Sequence, residues 1–226
     1  MRKTRIPFIA SLLLLPVGAF SAERAVLPNF VFILADDLGW KDLGCYGSSF
    51  YETPHLDRLA KEGMRFSDAY AAAPLCSATR ASILSGWAPA RQHLHAVTPE
   101  SKETARSTHD YTSWKDEAQH TFPKIYPLTI PKQLGQFPLE RTTFAERLKE
   151  KGYVTSFIGK WHLGPDLGQL PDQQGFDHTY AVSHRGFPPS YHAPYERGKY
   201  VLKGVTPRTK PEYLTDHLTV EALSGE

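Results

Sequence analysis

The chain has little cysteine: two residues, Cys45 and Cys76, among 226. Two thiols exclude a disulfide scaffold, although in an exported protein they could still pair with each other. The chain also lacks a surplus of charge. Lys and Arg total 26 against 24 acidic residues, a net charge of +2, and the basic residues form no block. That balance gives no electrostatic footprint for a nucleic-acid partner. There is no internal repeat and no low-complexity tract. Beyond the first twenty or so residues there is no run apolar enough to span a membrane.

The one long apolar run is N-terminal. Arg2, Lys3 and Arg5 precede an apolar stretch from Ile6 to Phe20, and Ala19 and Ser21 are small residues at a cleavage spacing. This pattern predicts a secretory signal peptide over residues 1–21 and an exported mature domain over 22–226, with no membrane contact after cleavage. Pro7, Pro16 and Gly18 interrupt the run and argue against an uncleaved anchor. The remainder, about 200 residues, is long enough for one core. At 41% hydrophobic and 22% charged residues it reads as an ordinary globular domain.

Periodicity and punctuation predict an α/β order. Pro28 to Ala35 is a short apolar run that reads as a buried parallel strand. A helix follows from Thr53 to Glu62, with Pro54 in its first turn and Gly63 beyond its end. Met64 to Tyr70 reads as a second strand, and Ser77 to Ser85 as a helix stopped by Gly86. Residues 92 to about 140 are rich in Thr, Ser, His and Pro and read as a long, functional surface excursion. Thr143 to Lys151 is an amphipathic helix capped by Thr142 or Thr143 and ended by Gly152. Tyr153 to Ile158 is the next strand. The stretch to about residue 211 is irregular, and Tyr213 to Leu223 begins a further helix.

Three segments carry residues suited to chemistry. Asp36 and Asp37 directly follow the first apolar run, where ligands gather in parallel sheets. Adjacent carboxylates repel unless a proton or cation intervenes, and a hard ion such as Ca²⁺ or Mg²⁺ suits them. The same residues also read as an acidic turn. Cys76 opens a helix, where free amides and the dipole favour an anion. Arg80 lies one turn on, on the same face. A structural cysteine beside a surface arginine is the plainer reading of that pair. Lys160 and His162 follow a strand and alternate, so both would face one side of an extended segment. That pairing suits an anionic substrate and proton transfer, or a merely polar strand end. His93, His95, His184 and His192 have no metal-binding spacing and read as loop histidines.

Taken together the segments resemble the type I sulfatases of the alkaline-phosphatase superfamily. The resemblance rests on Phe32 to Trp40, Gly44-Cys45-Tyr46-Gly47, Thr53 to Gly63, Cys76 to Gly86 with Pro89-Ala90-Arg91, the helix at Thr143 to Lys151, Gly159 to Gly164, and Gln174-Gly175-Phe176-Asp177. It implies an alkaline-phosphatase-like α/β fold with a mostly parallel sheet flanked by helices. It implies cleavage of a sulfate ester, of a sulfated carbohydrate or an aryl sulfate. Cys76 would be oxidised to formylglycine by a formylglycine-generating or anaerobic maturation enzyme. An oxygen of its hydrate would join Asp36 and Asp37 around Ca²⁺, or Mg²⁺ in some relatives. Arg80 would hold the hydrate, and Lys160 and His162 would contact it and the sulfate. Cys45 would be left as a lone, buried thiol.

Two departures accompany the resemblance. Ala78 stands where the family usually has proline, two positions after the cysteine. Family members also usually run to well over twice this length, so the expected sheet is truncated on its C-terminal side. The remaining metal ligands and a further histidine and lysine of the sulfate pocket have no match up to Glu226. A phosphonate or phosphate-ester hydrolase of the same superfamily, and a non-catalytic remnant, are the alternatives.

Overall fold

The computed structural model describes residues 27–98, 133–164, 170–209 and 211–224. The expected signal peptide, and most of the surface excursion after residue 92, lie outside them. The chain divides into two units, one ending at Trp40 and the other beginning at Lys41. Each is described by itself.

In the first unit, the described residues 27–40 form no helix and no ladder. This corrects the strand expected over Pro28 to Ala35. Val31 and Ile33 are 87% and 81% exposed. An apolar run becomes a buried strand only where a neighbour pairs its amides and side chains cover both faces. Among the described residues no strand pairs with it.

The second unit is α/β, as expected. Its parallel pair is β1, Ser156–Lys160, against β2, His178–Ser183. A short antiparallel hairpin joins β3, Glu196–Arg197, to β4, Tyr200–Val201. The helices are α1, Pro54–Glu62; α2, Cys76–Ser85; α3, Pro89–Gln92; α4, Phe144–Lys149; and α5, Leu214–Ser224. Gly86 stops α2 in the left-handed region, at φ 71°. Thr143 caps α4 in a full capping box with Glu146.

Two expectations shift. Met64 to Tyr70 is exposed and pairs with no strand among the described residues. The strand expected at Tyr153 begins at Ser156, because Thr155 is otherwise engaged. Its amide donates to Asp177 Oδ2 at 3.0 Å, its hydroxyl donates to the Gly175 carbonyl at 2.6 Å, and its carbonyl accepts from the amides of Asp177 and His178. The ladder starts one residue later, at Ser156 opposite His178.

The β1–β2 pair lies between two apolar clusters; Tyr180 and Ala181 both join the second and Val182 the first, and Ala181 takes φ 53°, which interrupts simple alternation. Val182 packs with Ala81 and Leu84 of α2, Ala145 of α4, Trp161, Leu163 and Phe176. Ala181 packs with Tyr195, Leu202 and Leu214. Trp161 anchors the first cluster, with Phe157 edge-on at 5.3 Å and Phe176 at 6.4 Å. Truncating a buried side chain of that size costs about 3–5 kcal/mol. This core holds α2 against the end of β1, and that junction carries the site.

Candidate active site at the junction of α2 and β1

α2 begins at Cys76, whose thiol is free and half-buried. Cys45 is also free, so the two thiols do not pair, and Cys45 is half-buried rather than buried. The first-turn amides of a helix have no intrahelical acceptor, which makes this end of α2 favourable to negative charge.

Two bonds tie α2 to the segment leaving β1. The Ser77 hydroxyl donates to the His162 carbonyl at 2.8 Å, and the Thr98 hydroxyl donates to the same oxygen at 3.0 Å. The Thr98 amide in turn donates to Ser77 Oγ at 3.0 Å. One turn along α2, Arg80 Nη1 donates to the Lys160 carbonyl at 2.5 Å. Residues 77 and 80 therefore grip the backbone at 162 and 160. Cys76, Arg80, Lys160 and His162 are thereby gathered at one junction.

The route to that arrangement differs from simple alternation. Gly159 takes φ 99° and His162 φ 54°, both in the left-handed region, and the β1–β2 register shifts between Ile158 and Lys160. The chain is not extended there, so Lys160 and His162 are not brought together by strand period. Instead the amides of Trp161 and His162 both donate to the Ser183 carbonyl, at 2.8 and 3.3 Å. A non-glycine residue at positive φ persists only where its surroundings over-determine it. Here those surroundings are Ser77, Thr98 and Ser183. The His162 side chain is buried, and Gly186 lies against its imidazole: a Cβ at 186 would stand 3.0 Å from Cε1.

Asp36 and Asp37 lie in the first unit, and Asp37 takes φ 57°. Their carboxylates are hard oxygen donors, which suit Ca²⁺ or Mg²⁺. Ca²⁺ takes six to eight oxygens, so two carboxylates fit as part of a shell. Among the described residues no group of three or more His, Cys, Asp or Glu converges as a metal cluster.

Sequence reasoning missed Ser77 and Thr98. A hydroxyl next to a candidate nucleophile is a weak signal, and nothing local marks its partner 85 residues on. It also missed a polar network on the other face of the sheet. His217 is buried, with Nδ1 2.9 Å from Glu212 Oε2 and Nε2 2.7 Å from the Tyr180 hydroxyl. The Tyr195 hydroxyl donates to the same Glu212 oxygen at 2.9 Å. Burial opposes the charge on Glu212. Donation from the Arg208 amide, Tyr195 and His217 outweighs it and holds the carboxyl below its usual range. Of the histidines expected in loops, His93 and His192 are exposed, and the His192 ring lies 5.3 Å from that of Tyr213.

Comparison with known proteins adds a family. A model of the family described as Sulfatase matches residues 28–223. Human steryl-sulfatase is 33% identical over 189 residues, 81% of this chain and 28% of that protein. Human arylsulfatase A is 38% identical over 169 residues, 74% of this chain and 27% of the relative. N-acetylgalactosamine-6-sulfatase from Rattus norvegicus is 37% identical over 191 residues, covering 83% and 31%. The chain therefore spans less than a third of the length of these relatives. Among solved structures, Ps i-CgsB in complex with k-i-k-neocarrahexaose is similar, with a TM-score of 0.58 and 27% identity. That match covers 84% of this chain and 39% of the other.

Proposed function

The chain belongs to the sulfatase family, and from that premise we propose that it carries the nucleophile-bearing part of a sulfuric ester hydrolase. The observation behind this reading is the double tie of α2 to the end of β1, Ser77 to His162 and Arg80 to Lys160. It supports a role for Cys76, Arg80, Lys160 and His162 as one constellation. The substrate class is a sulfate ester of a carbohydrate or of an aryl alcohol. The names of N-acetylgalactosamine-6-sulfatase and arylsulfatase A among the relatives, and a carrahexaose bound in a similar structure, favour it.

Each residue has a part. Cys76, matured to formylglycine by a formylglycine-generating or anaerobic enzyme, supplies a hydrated aldehyde as the oxygen nucleophile. Arg80, fixed at one nitrogen by the Lys160 carbonyl, presents a guanidinium to that position and stabilises negative charge there. The Lys160 ammonium binds the anionic ester and favours charge developing on its oxygens. His162, held by its own backbone, moves a proton at an imidazole nitrogen. Asp36 and Asp37 would hold Ca²⁺, with Mg²⁺ as the alternative, which would supply Lewis-acid stabilisation of the transferring group. The protein is exported, with residues 1–21 reading as its signal peptide and 22–226 as the N-terminal part of a sulfatase catalytic domain.

Mass spectrometry of the peptide containing residue 76, from protein purified out of its own host, tests the reading. The expected mass has an aldehyde in place of the CH₂SH group. An intact thiol would overturn the mechanism.

A further inference from the structure

We propose that the cleft at the far end of α2 is a second oxyanion site, taking a sulfate group either borne on a carbohydrate or released as the free ion. The cleft measures about 540 Å³, and Trp87, Glu140, Arg141, Thr142, Thr143 and Arg147 help to line it. The Arg141 guanidinium stacks 3.9 Å from the Trp87 ring centroid and that of Arg91 stacks 4.3 Å from it. A guanidinium held over an indole has one face covered by the ring, which leaves its in-plane fork of N–H groups available to an anion. Such a fork matches two oxygens of a tetrahedral anion.

The charges agree with that chemistry. Among the described residues no carboxylate lies within ion-pair distance of Arg91 or Arg141, whereas Arg147 is 3.0 Å from Glu150. Of the charged residues lining the cleft, Arg141 and Arg147 outnumber Glu140, and Arg91 reaches it only through the Trp87 ring, so the balance is cationic.

The place matters as well. Cys76 opens α2 and Ser85 ends it, so at 1.5 Å per residue the cleft lies about 14 Å from the nucleophile position. One sulfate group cannot occupy both. The cleft fits a second sulfate group of a polysulfated chain, or released sulfate. The choice of sulfate over other oxyanions rests on the sulfatase reading; the oxyanion site itself rests on Trp87, Arg91 and Arg141.

Isothermal titration of the purified protein carrying Cys76→Ala decides the matter, since that background separates binding here from chemistry there. The probes are a sulfated oligosaccharide, its desulfated counterpart and sodium sulfate, at low and at raised salt. Arg141→Gln is expected to weaken binding of the sulfated probe at least about tenfold, and to do so equally when Lys160→Ala has removed binding at the junction of α2 and β1. Arg141→Lys keeps the charge but loses the fork, and should weaken binding several-fold while preserving the fold. The same loss seen with sodium sulfate assigns the site to the free ion; a loss seen only with the oligosaccharide assigns it to a carbohydrate-borne group. Equal binding of the desulfated probe, no effect of either Arg141 variant, or no binding at low salt overturns the proposal. A failure to find formylglycine at residue 76 would leave this titration untouched.

Discussion

The Ser77 hydroxyl and the His162 carbonyl meet across 2.8 Å, joining the first turn of α2 to a residue with a left-handed backbone. The bond is buried at both ends, and Ser77 Oγ also accepts from the Thr98 amide. Ser77→Ala therefore strands a buried N–H and removes one of two hydroxyl donors to a buried carbonyl. The expected loss is about 2 kcal/mol, read as a lower urea midpoint with an unchanged slope. Ser77→Thr, which keeps the hydroxyl, should recover part of it. An alanine variant as stable as the parent would show that Thr98 holds His162 alone.

Gly175 is required for space as well as for its φ of 92°. A Cβ there would lie 2.5 Å from the Glu146 amide nitrogen and 2.6 Å from its Cγ. That amide belongs to the capping box of α4, which cannot retreat without losing its cap. Gly175→Ala should cost about 3 kcal/mol or more, combining the backbone strain with the overlap. Thermal unfolding would check it, and a shift of only a degree or two would contradict the contact.

Asp177 links stability to acid. Lys149 at 2.5 Å, followed by the amide and hydroxyl of Thr155, lowers its carboxyl from 3.8 to about 2. A carboxyl depressed in the folded state stabilises above its unfolded pKa, and that stability is lost as pH falls through the folded value. Unfolding free energy should therefore decline between about pH 4 and pH 2 by more in the parent than in Asp177→Asn. Parallel pH profiles for the two proteins would remove Asp177 from the account.

Tyr195 does the reverse at the alkaline end. Burial first, then the Glu212 carboxylate it serves as donor, pushes its phenol up to about 12. The neutral form is the stabilised one. Its contribution is present below the unfolded pKa of 10 and is lost as pH rises through about 12. Burial also pushes the Tyr180 phenol up, so a titration of phenolate absorbance should show a late-ionising fraction that Tyr195→Phe reduces by one tyrosine. Ionisation of that group together with the exposed tyrosines would count against the burial of the network.

The helices were legible because their signals are local. Thr53 and Pro54 open α1, Gly86 stops α2, and Thr143 with Glu146 caps α4, all within one turn of the ends they define. Strands depend on partners remote in sequence, and here local reading faltered. Pro28 to Ala35 has the composition of a core strand without a ladder among the described residues. β2, His178–Ser183, forms one although its sequence has no clear alternation. The candidate site divides the same way. The residue types at 76, 80, 160 and 162 stand in the sequence itself. What gathers them does not, since it depends on a hydroxyl at 77, a turned backbone at 162 and a carbonyl at 183.

The single carbonyl of Ser183 accepts from two consecutive amides, those of Trp161 and His162, and Gly186 rests on the imidazole three residues later. The turn after β2 is thus geared to His162 at both its backbone and its ring. An insertion, or a bulkier residue at 186, would reach the imidazole as a change of pose while leaving Cys76 and α2 in place. Changes confined to that turn thus act on residues 161 and 162, through contacts that the helix bearing Cys76 does not share.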